Sequence, residues 1–410
     1  VTTRAKVDWK GRRLDVEVGP VAHGGHCVAR FEGRVVFVRH ALPGEQVTVE
    51  VTEDKGGSFC RADAVEIITP SPDRVTPPCE LAVPGGCGGC DWQHASADAQ
   101  RELKASVVAE HLLKATGRDI PVLVEELPGG LLEWRTRVRM AVGRDGVAGF
   151  RGHRSHDVVP VAHCPITVPD LVETVAGKEW TADAELELVR DGAGRFSSRR
   201  LGPMRMVGGR RQFPRQSIDG TGVAVEFAAG RHWEMDPFTF WQVHPAAADT
   251  LASVVAEWAE ASPGACAWDL YSGVGLFASV LATQVGPEGL VRAVEQSSAA
   301  FDSIRILADL PQIEVIARKV ESAFAGPLDG PTPEVVVLDP PRKGAGHDVV
   351  DQIAARRPAR VIYVACDPAA LGRDVARFET HSYRLELVRA FDAFPMTHHV
   401  EAVALLTPGE

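Results

Sequence analysis

From about Ala246 onward the chain alternates short apolar runs with amphipathic stretches, and no other feature constrains the fold as much. AADTLASVVAEWAE reads as a helix, while CAWDLYSG, LVRAVEQS, EVVVLDPP and RVIYVACDP read as strands with helical stretches between them. Strands that are apolar on both faces need helices above and below, which makes the sheet parallel and doubly wound. The expected class is therefore α/β, with a Rossmann-like domain whose ligands sit beyond the carboxyl ends of the strands.

The first 69 residues follow a different period. LDVEVGPVAHGGHCVARFEGRVVFVRHALPGEQVTVEVTEDKGGSFCRADAVEII alternates apolar and polar residues, and Gly or Pro breaks the runs. About five short strands in that length predict a small closed barrel of the oligonucleotide-binding type. The proline cluster TPSPDRVTPPC at 69–79 reads as a linker. A helical run, ADAQRELKASVVAEHLLKATG, comes next, and the strand-like pieces WRTRVRMAVG, GVAGFRG and DVVPVAHCPI follow it, giving an α+β centre. The expected division is a barrel over 1–69, a central domain over 70–232 and the Rossmann-like domain over 233–410.

With 45% hydrophobic and 24% charged residues among 410, the chain is neither disordered nor fibrous. It has no uncharged apolar run of the ~18 residues that a membrane span needs. Its first residues, VTTRAKVDWKGRRLD, lack the apolar core of a secretion signal. The expectation is a cytoplasmic globular protein with no membrane contact and no obligate protein partner. The formal charge of -11 argues against indiscriminate nucleic-acid binding, yet residues 133–215 carry 15 basic against 10 acidic side chains. There Arg195, Arg199, Arg200, Arg205, Arg210, Arg211 and Arg215 punctuate a glycine-rich stretch containing Phe196 and Phe213. Such a stretch suits either the phosphates of a polyanion or a solvated basic face.

Four short motifs carry the chemistry. In WDLYSGVGLF a strand ends at Asp269, and Gly273 and Gly275 let the backbone approach a ligand at a helix N-terminus. Phe277 and Ala278 stand where the third glycine of a dinucleotide fingerprint belongs. Glu295, at the end of the next strand, is placed to accept from ribose hydroxyls, so the pair suits an adenosyl ligand. In LDPPRKG, Asp339 ends a strand and can accept from the N–H of a base, while Arg342 can take a phosphate or carboxylate. In VACDPAALGRD, Cys366 precedes a helix whose dipole is expected to lower the thiol pKa, which makes it a candidate nucleophile. In AFPMTHHVEAVALL, Glu401 enters a buried strand, where a raised pKa suits a base; His398 and His399 read by default as surface or core histidines.

Cys79, Cys87 and Cys90 cluster within twelve of the 410 residues, and glycines lie between them. Close thiolates of this kind wrap a soft metal or an iron–sulfur cluster. Cys164 is the best free fourth ligand for a cluster, whereas His94 or His163 would make a zinc site.

Taken in order, these motifs resemble the bacterial uracil-5 RNA methyltransferases that carry an N-terminal TRAM domain and an iron–sulfur cluster, and the resemblance spans essentially the whole chain. It implies TRAM for residues 1–69 and a [4Fe-4S] cluster on Cys79, Cys87, Cys90 and Cys164. It also implies an S-adenosylmethionine site on Gln242 of Phe240-Trp241-Gln242, Tyr271, Gly273, Gly275, Glu295 and Asp339. Cys366 is implied as the nucleophile that attacks uracil C6, Asp339 as the contact to the base, and Glu401 as the group that removes the C5 proton. The expected partner is ribosomal or transfer RNA. The chain departs from the family pattern at His244, Leu276 and Lys319 and in reading ACDP at the nucleophile. A methyltransferase of small molecules or proteins and an RNA-binding protein with a degenerate methyltransferase domain are the alternative readings; substrate binding that ignores salt, or absent cofactor binding, marks them out.

Overall fold

The computed structural model describes residues 8–202, 204–208, 210–326 and 328–409. Strands β1 (Arg13–Glu17), β2 (Cys27–Phe31), β3 (Arg34–Arg39), β4 (Gln46–Asp54) and β5 (Phe59–Thr69) form one sheet in the order β1-β4-β5-β3-β2. Past β1 the chain runs on beside β2: the Gly19 N–H donates to Val28 and the Val28 N–H to Pro20, both at 2.8 Å. These bonds cover the two outer edges and close the barrel. Leu14, Val16, Val47, Val49 and Val51 point inward, as the period of two requires.

The proline-rich stretch after β5 is pinned, which its composition did not suggest. The Arg74 guanidinium donates to both oxygens of Glu45, at 2.5 and 2.7 Å, and the Val75 N–H donates to His94. Helix α1 (Ala97–Thr116) starts at Ser96, whose side chain accepts from the Ala99 N–H, and stops at Gly117 in the left-handed region. Strand β6 (Val124–Glu126) follows.

Next come β7 (Arg137–Val142), β8 (Ala148–Arg151), β9 (Val158–Pro160), β10 (Glu185–Arg190), β11 (Phe196–Leu201), β12 (Arg205–Val207), β13 (Arg210–Gln212) and β14 (Arg215–Asp219). Six of these form a sheet in the order β14-β11-β10-β7-β8-β9, and β12 and β13 make a separate hairpin. A second hairpin, β15 (Ala224–Ala228) with β16 (Arg231–Met235), leads into the last unit. The sequence reading located β7 to β9 but not the strands from β10 to β16, although β10, ELELVR, alternates and buries Leu186 and Leu188.

The last unit contains α2 (Ala247–Ala259), β17 (Cys266–Leu270), α3 (Leu276–Val285), β18 (Leu290–Val294), α4 (Ala299–Ile306), β19 (Ile313–Ile316), α5 (Val320–Ala323), β20 (Val335–Leu338), α6 (His347–Ala355), β21 (Arg360–Ala365), α7 (Pro368–Glu379), β22 (Tyr383–Asp392) and β23 (Glu401–Pro408). The sheet order is β19-β18-β17-β20-β21-β23-β22-β6. The five strands from β19 to β21 are parallel, whereas β23 runs antiparallel to both neighbours. The order reverses between β17 and β20, which opens a crevice at their carboxyl ends. One face of the sheet buries Leu251, Val255 and Leu281; the other buries Val350, Leu371 and Phe378.

Residues 97–126, expected within the central segment, are built onto this sheet instead. β6 pairs with β22, and α1 packs so closely on α7 that a Cβ at Gly372 would lie 2.8 Å from the His111 carbonyl. A three-residue edge strand carries no period that sequence inspection can detect. Lys104 of α1 is buried under the sheet, with Nζ 2.5 Å from Asp392 and 3.0 Å from the Phe394 carbonyl. A lone carboxylate left there is expensive, so Lys104→Ala is expected to lose about 3 to 5 kcal/mol of unfolding free energy. Pairing Lys104→Met with Asp392→Leu should recover most of that loss in denaturant titrations.

Candidate active site

The crevice at the sheet's carboxyl edge is a cleft of about 1030 Å³, which is ample for an adenosyl ligand together with a base. Loops after successive strands build it: Tyr271–Val274 after β17, Glu295–Ser297 after β18, Lys319 after β19, Asp339–Lys343 after β20, and Cys366 after β21. Gln242 and Glu401 also line it. Of the twelve site residues expected from sequence, seven therefore line one cleft: Gln242, Tyr271, Gly273, Glu295, Asp339, Cys366 and Glu401.

Gly275 does not line it. Its φ is 92°, and a Cβ there would sit 2.4 Å from Leu307 of the segment after α4, so this glycine serves helix packing rather than ligand approach. Gly273 has φ 57° and open space above it, which leaves the turn free to meet a ligand. Glu295 accepts from the Gly273 N–H at 3.0 Å and from the Ser297 N–H at 2.6 Å, tying the glycine turn to the next loop. Asp269, buried at the end of β17, accepts from the Ala278 N–H at 2.7 Å and holds the first turn of α3.

Charge is the dominant feature around Asp339, Cys366 and Glu401. Burial raises the Asp339 carboxyl to about 7, and burial together with Asp339 raises Glu401 well above the usual range. The raised Glu401 agrees with the sequence reading. Cys366 does not: burial and then Glu401, Asp339 and Asp367 push the thiol up to about 12, against the pull of Arg342. The thiol is raised and not lowered as expected: burial is the largest influence, and the carboxylates on the loops around it add to that.

His398 and His399 are neither bland surface nor core. His398 Nδ1 hydrogen-bonds Asp91 at 2.6 Å, and the Arg342 guanidinium lies 3.2 Å from His399 Nε2. Both rings line the cleft, as do Asp91, Arg135 and His153, three residues that the sequence reading did not single out. Asp91 directly follows Cys90 and carried a signal in that adjacency; Arg135, in a strand-like piece, and His153, in the turn between β8 and β9, carried none. Phe240 stands at the cleft and is 69% exposed.

Behind the cleft, Cys79, Cys87, Cys90 and Cys164 line one largely apolar cavity together with Arg135, Gln93 and His163. His94 is buried elsewhere and does not take part. Among the described residues, no three His, Cys, Asp or Glu side chains are gathered so as to hold a single metal ion. Burial pushes the Cys87 and Cys164 thiols up, and Cys90 up to about 12. Arg135 is buried among them, with its Nε on the Arg137 carbonyl and no carboxylate partner among the described residues.

The basic stretch is partly spoken for. Asp191 takes Arg195, Glu187 takes Arg199, and the Gln216 side chain accepts from Arg200, while Arg215 is exposed. The side chains of Arg205, Arg210 and Arg211 lie outside those described. No helix among the described residues is long and apolar enough to cross a membrane.

Comparison with known proteins adds independent findings. Residues 9–65 match the family model of the TRAM domain, and residues 327–408 match that of tRNA (Uracil-5-)-methyltransferase. A Streptomyces avermitilis protein described as an uncharacterized RNA methyltransferase is 43% identical, over 97% of this chain and 99% of its own. The 23S rRNA (uracil(1939)-C(5))-methyltransferase RlmD of Shewanella sediminis is 29% identical over 96% of this chain and 95% of its own. Among solved structures, the Pyrococcus abyssi tRNA (uracil-54, C5)-methyltransferase in complex with S-adenosyl-L-homocysteine superposes with a TM-score of 0.70. That match covers 96% of this chain and all of the other at 21% identity, so it supports the shared fold.

The raised carboxyls make stability depend on pH. A folded-state pKa near 7 means that Asp339 keeps a proton which the unfolded chain releases, so stability falls as pH rises from about 4 to about 7. Asp339→Asn removes that linkage. Its stability relative to the parent is expected to rise across this window, read from urea unfolding at each pH.

Proposed function

The chain belongs to the TRAM-bearing uracil-5 RNA methyltransferase family, and from this premise we propose that it methylates C5 of a uridine in ribosomal or transfer RNA through a covalent Cys366 adduct. The observation that carries the reading is the meeting of Cys366, Asp339 and Glu401 in the same cleft that the glycine turn and Glu295 line.

S-adenosylmethionine, when bound, supplies an electrophilic methyl group. Gly273 and Glu295 are suited to hold its ribosyl part, and Gln242, Tyr271 and Asp339 are the further expected contacts. Uracil C5 is too weakly nucleophilic to take the methyl unaided. Thiolate addition from Cys366 to C6 pushes the ring electrons to an enolate and loads C5. Asp339 accepts from the pyrimidine N3–H and holds the ring in line for attack. Glu401 then takes the C5 proton, and the returning electron pair expels the Cys366 thiolate. Burial raises the proton affinity of Glu401, as a base that must strip a carbon-bound proton requires. The target base must leave its stack to enter the cleft, and exposed Phe240 at the rim offers an aromatic face for it.

The four-cysteine cavity fits a [4Fe-4S] cluster. Four thiols face a common space without converging on one point, and the buried Arg135 guanidinium is left wanting an anion. Cys79, Cys87, Cys90 and Cys164 would hold it, anchoring a segment that borders the cleft. Anaerobic reconstitution of the full chain is expected to give about four iron and four acid-labile sulfide per protein, and Cys164→Ser to lower both.

Mass mapping of ribosomal and transfer RNA from cells with and without the gene tests the reaction: one 5-methyluridine should disappear. Cys366→Ala should abolish methylation and adduct formation together, and normal turnover by that variant would rule out covalent catalysis. Glu401→Gln should accumulate a covalent protein–RNA adduct that resists denaturation, because the adduct forms but its C5 proton stays.

A further inference from the structure

The barrel touches the thiol loop directly. Between β1 and β2 the chain turns through His23, Gly24 and Gly25, with both glycines at positive φ. A Cβ at Gly25 would lie 2.9 Å from His398 Cβ and 3.1 Å from Asp91 Cβ, and Trp92 Nε1 donates to the Gly25 carbonyl at 3.1 Å. These contacts fix the turn against the cleft's edge. From it, His23 Nε2 reaches to 3.3 Å from Asp367 Oδ2, with the imidazole still 41% exposed. Asp367 Oδ1 accepts from the Ala370 N–H at 2.8 Å and so caps α7, and the residue before it is Cys366. His111 of α1 meets the His23 ring edge-on, at 5.3 Å between centroids.

We propose that His23, supplied by the barrel, is a positioning residue of the methylation site: as an imidazolium it neutralises Asp367 and thereby favours the neighbouring Cys366 thiolate. The inference rests on the reading of Cys366 as nucleophile.

The charges around the thiol support this assignment. Three carboxylates, Glu401, Asp339 and Asp367, oppose ionisation of Cys366, and Arg342 favours it. Among the described residues neither Glu401 nor Asp339 has a cationic partner within ion-pair distance, so Asp367 is the one whose opposition a neighbouring side chain can cancel. His111 also faces Asp367, but burial and the His23 charge lower its pKa, and Glu110 and Lys114 beside it act in opposite directions. The hydrogen bond to Asp367 raises His23 above its ordinary value, against the effect of burial. The ion pair is therefore complete below about pH 6.5 and fades as pH rises through the raised value.

The test follows iodoacetamide alkylation of Cys366 in the full-length protein without RNA, from about pH 5.5 to about pH 9, read by peptide mass. Four proteins are compared: the parent, His23→Gln, Asp367→Asn and the double variant. Asn keeps an oxygen acceptor for the Ala370 N–H while removing the charge. His23→Gln is expected to slow alkylation roughly two- to fivefold at the acid end, with the curves converging at the alkaline end. In the Asp367→Asn background, His23→Gln should change nothing. Equal rates for parent and His23→Gln at every pH, or equal slowing in both backgrounds, would overturn the inference and leave His23 a docking contact. A parent that methylates no uridine removes the proposed reaction but not this comparison, since the alkylation is read without RNA.

Discussion

The Met396 carbonyl accepts from the N–H groups of both Asp91, at 2.9 Å, and Trp92, at 3.0 Å, and the three parts of the chain meet on it. Met396 has φ 67°, a left-handed conformation that costs a non-glycine residue on the order of 1 kcal/mol or more. It persists because its surroundings determine it. Gln100 of α1 accepts from the Met396 N–H at 2.8 Å, Asp91 accepts from the His398 N–H at 3.1 Å, and Lys104 takes the Phe394 carbonyl. Five residues later comes Glu401. The position of the proposed base thus depends on the segment that carries Cys90 and on the helix that buries Lys104, and the barrel turn closes over the same junction through Gly25.

That convergence explains why the site is electrostatically unfavourable at rest. The loops after β20 and β21 bring Asp339 and Cys366 to the edge of the sheet at which antiparallel β23 begins with Glu401, so all three meet there. Packing them there removes water, which raises both carboxyls and the thiol. A thiol at about 12 is mostly protonated at neutral pH, so cationic neighbours decide how often the nucleophile is available. Arg342 is one such neighbour from the sheet's own loop. His23, arriving from the barrel, ties this availability to the placement of the TRAM domain.

Much of the site was legible in the sequence because each motif is local. DLYSGVG, DPPR and the thiol of ACDP each sit at the end of an apolar run, and a parallel sheet necessarily delivers such ends to one edge; Glu401 instead opens an apolar run, on a strand that is antiparallel and so starts at that same edge. The period-two pattern of residues 13–69 likewise contains the barrel. Local signals were weak at β6, which is three residues long, and at β14, which is exposed throughout, while Arg135 and the turn residue His153 carry no motif of their own. The thiol was read from its helix alone, whereas burial and the nearby carboxylates push it the other way.

Residue type and spacing by themselves determined the fold class, the glycine turn, the acidic residue after the second strand, and the identity of the nucleophile and base candidates. These depend on hydrogen bonds and backbone freedom within a few residues of one another. Tertiary structure alone decided that Cys164 joins three cysteines more than seventy residues earlier in one cavity, that Gly275 serves packing, and that Cys366 is pushed up rather than down. It also placed a histidine from residue 23 beside an aspartate at residue 367. Desolvation and charge act through space, and a one-dimensional pattern carries no record of which distant groups the packed chain will bring together.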